Sequence, residues 1–141
     1  MTTGELIRKY RKMRGMTQAG LAAACGLSDS AVRNYELGNR TPSEAHLGAI
    51  AKALGIAREA LMEVRLDSAR EALEYLFRID EELGLRPLRG EGGEILLAVD
   101  GSAPKAPKLS AALKSWAAQL DKLEAGEIGR EEYDEWRAGA V

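Results

Sequence analysis

Residues 17–38 of the 141-residue chain, TQAGLAAACGLSDSAVRNYELG, decide how its first half folds. The segment contains two short helical stretches, and each begins after a residue whose hydroxyl can cap a helix, Thr17 and Ser28. Gly26 lies between the stretches, where a left-handed backbone conformation can end the first helix and begin a turn. The segment therefore predicts a helix-turn-helix, with small residues where the two helices cross closely.

Apolar residues at helical spacing extend this prediction on both sides of the segment. A first helix is expected from Thr3 to Arg14 and a fourth helix after Ser43, each with one apolar stripe that can face a core. Ile56, Leu61 and Met62 indicate a short fifth helix that closes the bundle. The first half of the chain is thus predicted to be entirely helical.

Over about residues 4–63 the chain resembles the Xre/Cro-like family of phage-type repressors, and four successive blocks of the segment agree with that family. The resemblance implies a mainly α-helical protein with a five-helix, lambda-repressor-like DNA-binding domain at residues 1–64. It also implies that the second helix of the motif, at residues 28–37, enters the DNA major groove.

The exposed side of the segment at residues 28–37 carries side chains that can read base edges. Asn34 can pair with adenine and Arg33 with guanine, and Asp29 can accept a hydrogen bond from cytosine. Gln18 resembles a family glutamine that binds phosphate or supports a base contact, and the loop after the helix is placed to contact phosphates. The candidate DNA-binding residues are Gln18, Ser28, Asp29, Ser30, Arg33, Asn34, Asn39 and Arg40.

Four of these residues also have a purely structural explanation. Asp29 can interact favourably with the positive end of the helix macrodipole, and Ser28 can act as a helix cap without contacting DNA. Arg33 and Asn34 can belong to an ordinary solvated helix face. The surrounding motif favours the DNA-reading interpretation for Arg33 and Asn34 and leaves both explanations open for Asp29.

Two further features concern packing rather than recognition. The family resemblance implies an ion pair between Arg11 and Glu36, whose partly buried charges would fix the third helix against the first. The chain departs from the family at Gly20, where relatives usually have the glutamate that completes a capping box with Thr17. This glycine weakens the second helix by about 1 kcal/mol relative to alanine.

The distribution of charge and hydropathy along the chain limits the kinds of function that it can have. The formal net charge of −2 divides unevenly: residues 1–65 contain ten Lys or Arg and six Asp or Glu, whereas residues 66–141 contain ten and sixteen. A cationic first half joined to an anionic second half suits a DNA-reading domain attached to a segment that stays off DNA. Because the chain lacks an apolar run of membrane-spanning length and a signal-peptide core, we expect a cytoplasmic protein without a membrane partner.

The chain has one cysteine, Cys25, and one histidine, His46, which excludes the commonest metal sites and nucleophile–base pairs. We expect Cys25 to be a small core residue and His46 to lie on the surface of the fourth helix. The acidic residues within 131–135 are adjacent instead of spaced for a paired-carboxylate site. We therefore expect no enzymatic activity, no cofactor and no metal.

Residues 65–141 predict a small α+β region composed of one helix, a β-hairpin and two further helices. A helix is expected at residues 67–83, followed by strands at 85–89 and 94–100 on either side of a glycine-rich turn. Pro87 suits an edge strand because it has no backbone N–H to donate. A hairpin alone is marginal in water, so this one must lie on a helix or pair with a second copy.

The last two helices are predicted after a linker-like stretch at residues 100–107. Leu109, Leu113, Trp116, Leu120 and Leu123 form an apolar seam of about two heptads, which either pairs as a short coiled coil or packs on the hairpin or preceding helix. Residues 120–138 resemble the closing motif of short bacterial C-terminal oligomerisation segments. In that motif Ile128, Tyr133 and Trp136 would fold the last helix back onto the previous one.

These features predict a sequence-specific DNA-binding transcriptional regulator, and specifically a repressor. A single helix-turn-helix covers few base pairs, so we expect a homodimer on double-stranded DNA with an inverted repeat. Residues 65–141 would mediate dimerisation or bind a small-molecule or protein effector. The alternative is an antitoxin-like or adaptor module whose helical head binds another protein.

Overall fold

The computed structural model describes residues 1–139, which form seven α-helices, one 3₁₀ helix and a two-stranded antiparallel sheet. The described chain divides into two compact units: residues 1–64 together with residues 134–139, and Arg65–Tyr133. No helix in the described part of the chain is long and apolar enough to cross a membrane. The predicted fold class, mainly helical with one hairpin, is confirmed.

The first unit contains α1 at Thr3–Met13, α2 at Gln18–Cys25, α3 at Asp29–Leu37, α4 at Glu44–Leu54 and a 3₁₀ helix at Arg58–Leu61. Each α-helix begins after a hydroxyl side chain that accepts a hydrogen bond from the backbone N–H three residues later; these caps are Thr2, Thr17, Ser28 and Ser43. Glycines in the left-handed conformation end α2, α3 and α4. Capping thus sets the helix boundaries that the sequence predicts.

The core of the first unit is a single apolar cluster. Its largest fully buried side chains are Ile7, Leu21, Val32, Ile50, Leu54 and Leu61. The fifth helix differs from the prediction because it is one 3₁₀ turn, which Leu61 anchors in the core while Met62 remains exposed. Cys25 is half-buried against this cluster, and burial raises the pKa of its thiol.

A seventh helix, α7 at Arg130–Gly139, contributes its later residues to the first unit. The backbone N–H of Ala57 donates to the carbonyl of Ala138 over 2.9 Å, and Ala138 is buried. Arg14 forms an ion pair with Glu135. The division into a DNA-binding domain at 1–64 and a C-terminal region at 65–141 stays a prediction, to which these contacts add a packing role for the chain's last helix.

The second unit contains α5 at Ala69–Leu83, β1 at Leu85–Arg89, β2 at Ile95–Val99 and α6 at Ala106–Glu124. The strands pair antiparallel in a register that runs from Leu85 opposite Val99 to Arg89 opposite Ile95. Trp116 of α6 donates its indole N–H to the hydroxyl of Tyr133 over 2.6 Å. Tyr133 is buried, so this contact ties the start of α7 to α6.

The second unit leaves much of its apolar surface exposed. None of the residues of α5 is buried, although the helix has a marked apolar face. The large apolar side chains left exposed on α5, the two strands and α6 are Leu73, Tyr75, Phe77, Leu88, Ile95, Leu96, Leu97, Trp116 and Leu120. The predicted seam of α6 is therefore only partly covered within this unit.

Candidate nucleic-acid interface

The turn between α2 and α3 sets the geometry of the motif. Gly26 has a φ of 70°, and its N–H bonds to the carbonyl of Ala22, which closes α2. Leu27 packs against the core, and Ser28 then caps α3 through the N–H of Ala31. These local features fix the start of α3, so the residues on its first turn have a defined direction.

Helix α3 has one buried side and one exposed side. Val32 and Tyr35 are buried in the core. Ser28, Asp29, Ser30 and Arg33 are exposed, and Asn34 is half-buried at the edge of the same side. The predicted reading edge, which consists of Ser28, Asp29, Ser30, Arg33 and Asn34, is therefore accessible along the first two turns of α3.

A surface groove brings part of the predicted set together. Gln18, Asp29, Ser30 and Arg33 line it along with Arg11, Thr17 and Ala19, so the N-terminal ends of α2 and α3 open onto one concave surface. Backbone N–H groups at helix N-termini favour anions such as phosphates. The groove thus combines donors suited to a DNA backbone with side chains able to contact bases.

Asn34 is involved in local hydrogen bonds that the sequence did not indicate. Its amide N–H₂ donates to the hydroxyl of Ser30 over 3.4 Å, and its carbonyl oxygen accepts from the side chain of Asn39 over 3.3 Å. The backbone N–H groups of Asn39 and Arg40 both donate to the backbone carbonyl of Asn34. Asn34 therefore organises the loop after α3, and a contact with adenine would replace its two long side-chain bonds.

Arg40 is exposed but lies outside the groove. It lines a separate depression with Gly38, Thr41 and the N-terminal end of α1. Asn39 is also exposed and is held next to α3 by its bond to Asn34. Arg40 therefore belongs to a different part of the surface from the groove residues, whereas Asn39 is linked through Asn34 to Ser30 of the groove.

The predicted partners Arg11 and Glu36 form a bidentate ion pair. Arg11 Nε lies 2.5 Å from Glu36 Oε1 and Arg11 Nη2 lies 3.0 Å from Glu36 Oε2, while Arg11 Nη1 donates to the carbonyl of Met16. The exposed fractions of the two side chains are only 11% and 3%. Because α1 carries Arg11 and α3 carries Glu36, the pair joins the first helix to the third.

Gln18 extends this pair into a network, since its side-chain N–H₂ donates to Glu36 Oε2 over 2.9 Å. Burial of Glu36 raises its pKa, but hydrogen bonds from Arg11 and Gln18 and the charges of Arg11 and Arg8 outweigh burial and leave the pKa lowered. The hydrogen bond to Glu36 likewise raises the pKa of Arg11. The network keeps both groups charged and fixes the side chain of Gln18 at the groove.

Three contacts that position the interface were missed by sequence reasoning. A Cβ on Gly4 would lie 2.2 Å from the backbone oxygen of Tyr35, so this glycine lets α1 approach α3. Arg14 Nε donates to the carbonyl of Leu54 at the end of α4. His46, expected at the surface, is half-buried and its Nδ1 lies 2.7 Å from the hydroxyl of Tyr35.

Known proteins are similar to this chain over the helix-turn-helix region. The family profile described as helix-turn-helix matches residues 7–61. The uncharacterised HTH-type transcriptional regulator YazB of Bacillus subtilis (strain 168) is 43% identical over 58 residues, which cover 41% of this chain and 84% of YazB. This chain belongs to the Xre/Cro-like helix-turn-helix family. That family is one of DNA-binding transcriptional regulators and is not an enzyme family.

Two further proteins that are similar to this helix-turn-helix protein are named as repressors. The immunity repressor protein of Bacillus phage phi105 is 34% identical over 86 residues, which cover 61% of this chain and 60% of the repressor. The P22 c2 repressor, whose structure was solved with a synthetic operator, is 32% identical with a TM-score of 0.43. That similarity covers 45% of this chain and 96% of the P22 chain.

Proposed function

We propose that this protein is a sequence-specific transcriptional repressor that inserts the first turns of α3 into the DNA major groove. The observation that carries the proposal is the exposed edge of Ser28, Asp29, Ser30 and Arg33 on a helix whose opposite side is buried. A major groove about 12 Å wide admits one α-helix, and side chains near the start of that helix reach the base edges. The repressor name of the relative from phage phi105 supports the direction of regulation.

The proposed residues divide into two roles. Arg33 and Asn34 read bases, Arg33 by a bidentate contact with guanine and Asn34 by one with adenine. Gln18, Asn39 and Arg40 contact phosphates and fix the protein's register on the duplex without specifying sequence. Ser28 and Ser30 lie at the base-facing end of α3 and can donate to either.

We further propose that two copies bind an inverted repeat. One recognition helix contacts only a few base pairs, so useful affinity and specificity require two half-sites about one helical turn apart. Symmetric DNA then matches a two-fold symmetric protein.

Selection of bound duplexes from a random DNA pool, followed by gel shift on the selected site, tests this proposal. We expect an inverted repeat, and Arg33→Ala should weaken its binding by about five- to 150-fold while relaxing preference at one base pair, because a bidentate pair contributes about 1–3 kcal/mol. Arg70→Ala is the matched control, since it removes the same charge from an exposed position on α5. Equal losses in the two variants would show that charge alone, and not base reading, governs binding.

Phosphate contacts have a separate signature. Arg40→Ala should weaken binding to all sequences alike and should reduce the slope of log affinity against log salt by about one. If the helical head instead binds only a protein partner, as an antitoxin or adaptor would, no DNA sequence will be enriched. Arg33→Ala would then leave partner binding intact.

A further inference from the structure

Strand β2 has an open backbone edge. The N–H of Gly90 donates to the carbonyl of Glu94, and the N–H of Asp100 donates to the carbonyl of Gly84. Hydrogen-bonded pairs alternate along an antiparallel ladder. In the register that sets Leu85 opposite Val99, the even-numbered residues are therefore the ones whose backbone N–H and C=O groups bond to the other strand. The N–H and C=O groups of Ile95, Leu97 and Val99 therefore point away from β1.

No backbone or side-chain group within residues 1–139 forms a hydrogen bond with this outward row. Open strand edges template pairing with another strand, and natural proteins usually block them with proline, charge or a covering segment. Here β2 reads ILLAV, with neither proline nor charge, and Ile95 and Leu97 are 60% and 52% exposed. The outward edge of β2 therefore has unbonded backbone groups and exposed apolar side chains.

The opposite edge of the hairpin is blocked. On β1 the outward positions are Leu85, Pro87 and Arg89, because they pair with the outward residues of β2. Pro87 stands at the centre of this row and has no N–H to donate, and Arg89 adds a charge. Each chain thus offers one usable edge, so pairing through it closes at two copies and does not propagate.

We propose that two copies of this chain pair through β2 around a two-fold axis at Leu97, which produces a four-stranded antiparallel sheet. Of the registers available, the one that sets Leu97 opposite Leu97 of the partner subunit pairs all three outward residues and forms about six backbone hydrogen bonds. Ile95 then faces Val99 of the partner subunit. A four-stranded sheet also has the strand number that an isolated hairpin lacks.

Charge favours a second copy as the occupant of this edge. Like charges directly opposite each other destabilise a strand pair, and a symmetric pair always sets a residue at its centre against itself. Leu97 occupies that centre, and β2 contains no ionised side chain. At the two ends Glu94 faces Asp100 of the partner subunit, but Arg86 lies 3.4 Å from Asp100 within each chain and offsets its charge.

This inference locates the homodimer of the proposed function, and it is tested on the full chain without DNA. Sedimentation equilibrium of Leu97→Lys and of Leu97→Glu should each show at least about a hundredfold weaker dimerisation, because each places like charges against one another. Mixing the two variants should restore a dimer, since Lys then faces Glu across the axis. Leu88→Lys is the control: Leu88 is 43% exposed but lies on β1, so the dimer should persist.

The dependence on salt concentration distinguishes dimerisation through β2 from DNA binding. The paired strands share no ion pair between copies, so raising salt should not weaken the dimer, whereas DNA affinity should fall steeply. A wild-type chain that stays monomeric, or a dimer that survives both Leu97 variants and dissociates with Leu120→Lys, would overturn the β2 interface. The second result would place dimerisation on α6 and leave the proposed repressor function standing, whereas an intact β2 dimer that selects no DNA sequence would overturn only that function.

Discussion

Replacing Glu36 by glutamine tests whether the buried network of Arg11, Gln18 and Glu36 holds α3 in place. The substitution keeps the shape of the side chain but removes its charge and replaces one carboxylate oxygen by an N–H₂ group. The carboxylate accepts side-chain hydrogen bonds from Arg11 Nε, Arg11 Nη2 and Gln18 Nε2. With an N–H₂ group at the Oε2 position, Arg11 Nη2 and Gln18 would each meet a donor in place of an acceptor.

The loss can be estimated from those contacts. Two hydrogen bonds to a charged group disappear, each contributing about 1.5–3 kcal/mol, and Arg11 remains buried without a charged partner. Breaking a buried ion pair from one side costs about 3–5 kcal/mol, which agrees with that sum. We therefore expect Glu36→Gln to lower the free energy of unfolding of the first unit by about 3–5 kcal/mol at neutral pH.

The same variant predicts a dependence on pH. Because the pKa of Glu36 is lowered in the folded protein, its stabilising contribution is complete above its ordinary pKa and is lost as pH falls through the lowered value. The amide that replaces the carboxylate does not titrate, so the difference in unfolding free energy between wild type and Glu36→Gln should shrink over that acidic interval. At neutral pH the difference should remain constant.

Urea unfolding followed by far-UV circular dichroism, repeated from neutral to acidic pH, measures both effects. Hydrogen exchange of the core amides of Ile7 and Val32 reports opening of the first unit specifically. Glu59→Gln is the control, since Glu59 is exposed and surface changes of this kind stay within about 0.5 kcal/mol. If Glu36→Gln destabilises no more than Glu59→Gln, or its deficit does not shrink in acid, the network does not have the energetic role argued here.

Four further substitutions test packing and capping, each by its urea midpoint. Gly4→Ala should destabilise by about 1–3 kcal/mol because its Cβ would meet the Tyr35 carbonyl at 2.2 Å; an unchanged midpoint would contradict the close approach of α1 to α3. Gly48→Ala makes the same chemical change inside α4, where nothing lies within 4 Å of the new Cβ, and should stabilise by about 1 kcal/mol. Ser43→Ala should cost about 1 kcal/mol by removing the cap of α4, whereas Ser43→Gly should cost only a few tenths.

The elements that sequence reasoning predicted are those whose causes are local. Thr17 and Ser28 each bond to an N–H three residues away, and Gly26 ends α2 by its own backbone conformation. The hairpin follows for the same reason, because its glycine-rich turn and Pro87 act within a few residues. Such signals can be read from one chain without knowledge of its tertiary contacts.

The contacts that were missed join residues far apart in sequence. Nothing near Gly4 indicates that its hydrogen faces a carbonyl of α3, and the bond between His46 and Tyr35 depends on how α4 crosses α3. The fifth helix is one 3₁₀ turn because burial of Leu61 sets the path of Arg58–Leu61. Helical periodicity alone cannot separate these outcomes, since it fixes which side of an element is apolar but not what covers that side.

Asn34 has two roles in the candidate site, and the sequence pattern indicates only one of them. Its position on the reading edge predicts a base contact, while its bonds to Ser30 and Asn39 give it a second role in holding the loop that carries Arg40. Both bonds are long, at 3.4 and 3.3 Å, so exchanging them for a bidentate contact with adenine would cost little.

The two units differ in how completely each satisfies its own polar and apolar groups. In the first unit the buried ion pair is complete, hydroxyl side chains cap the starts of α1 to α4, and one cluster forms the buried core. In the second unit β2 keeps an unbonded backbone edge, and α5 has no buried residue. A unit that satisfies its own polar and apolar groups can hold the reading edge rigidly. A unit that needs a second copy to satisfy them is stabilised by assembly, so its stability depends on protein concentration. In the proposed repressor, this asymmetry would make affinity for an inverted repeat depend on the concentration of the protein in the cell.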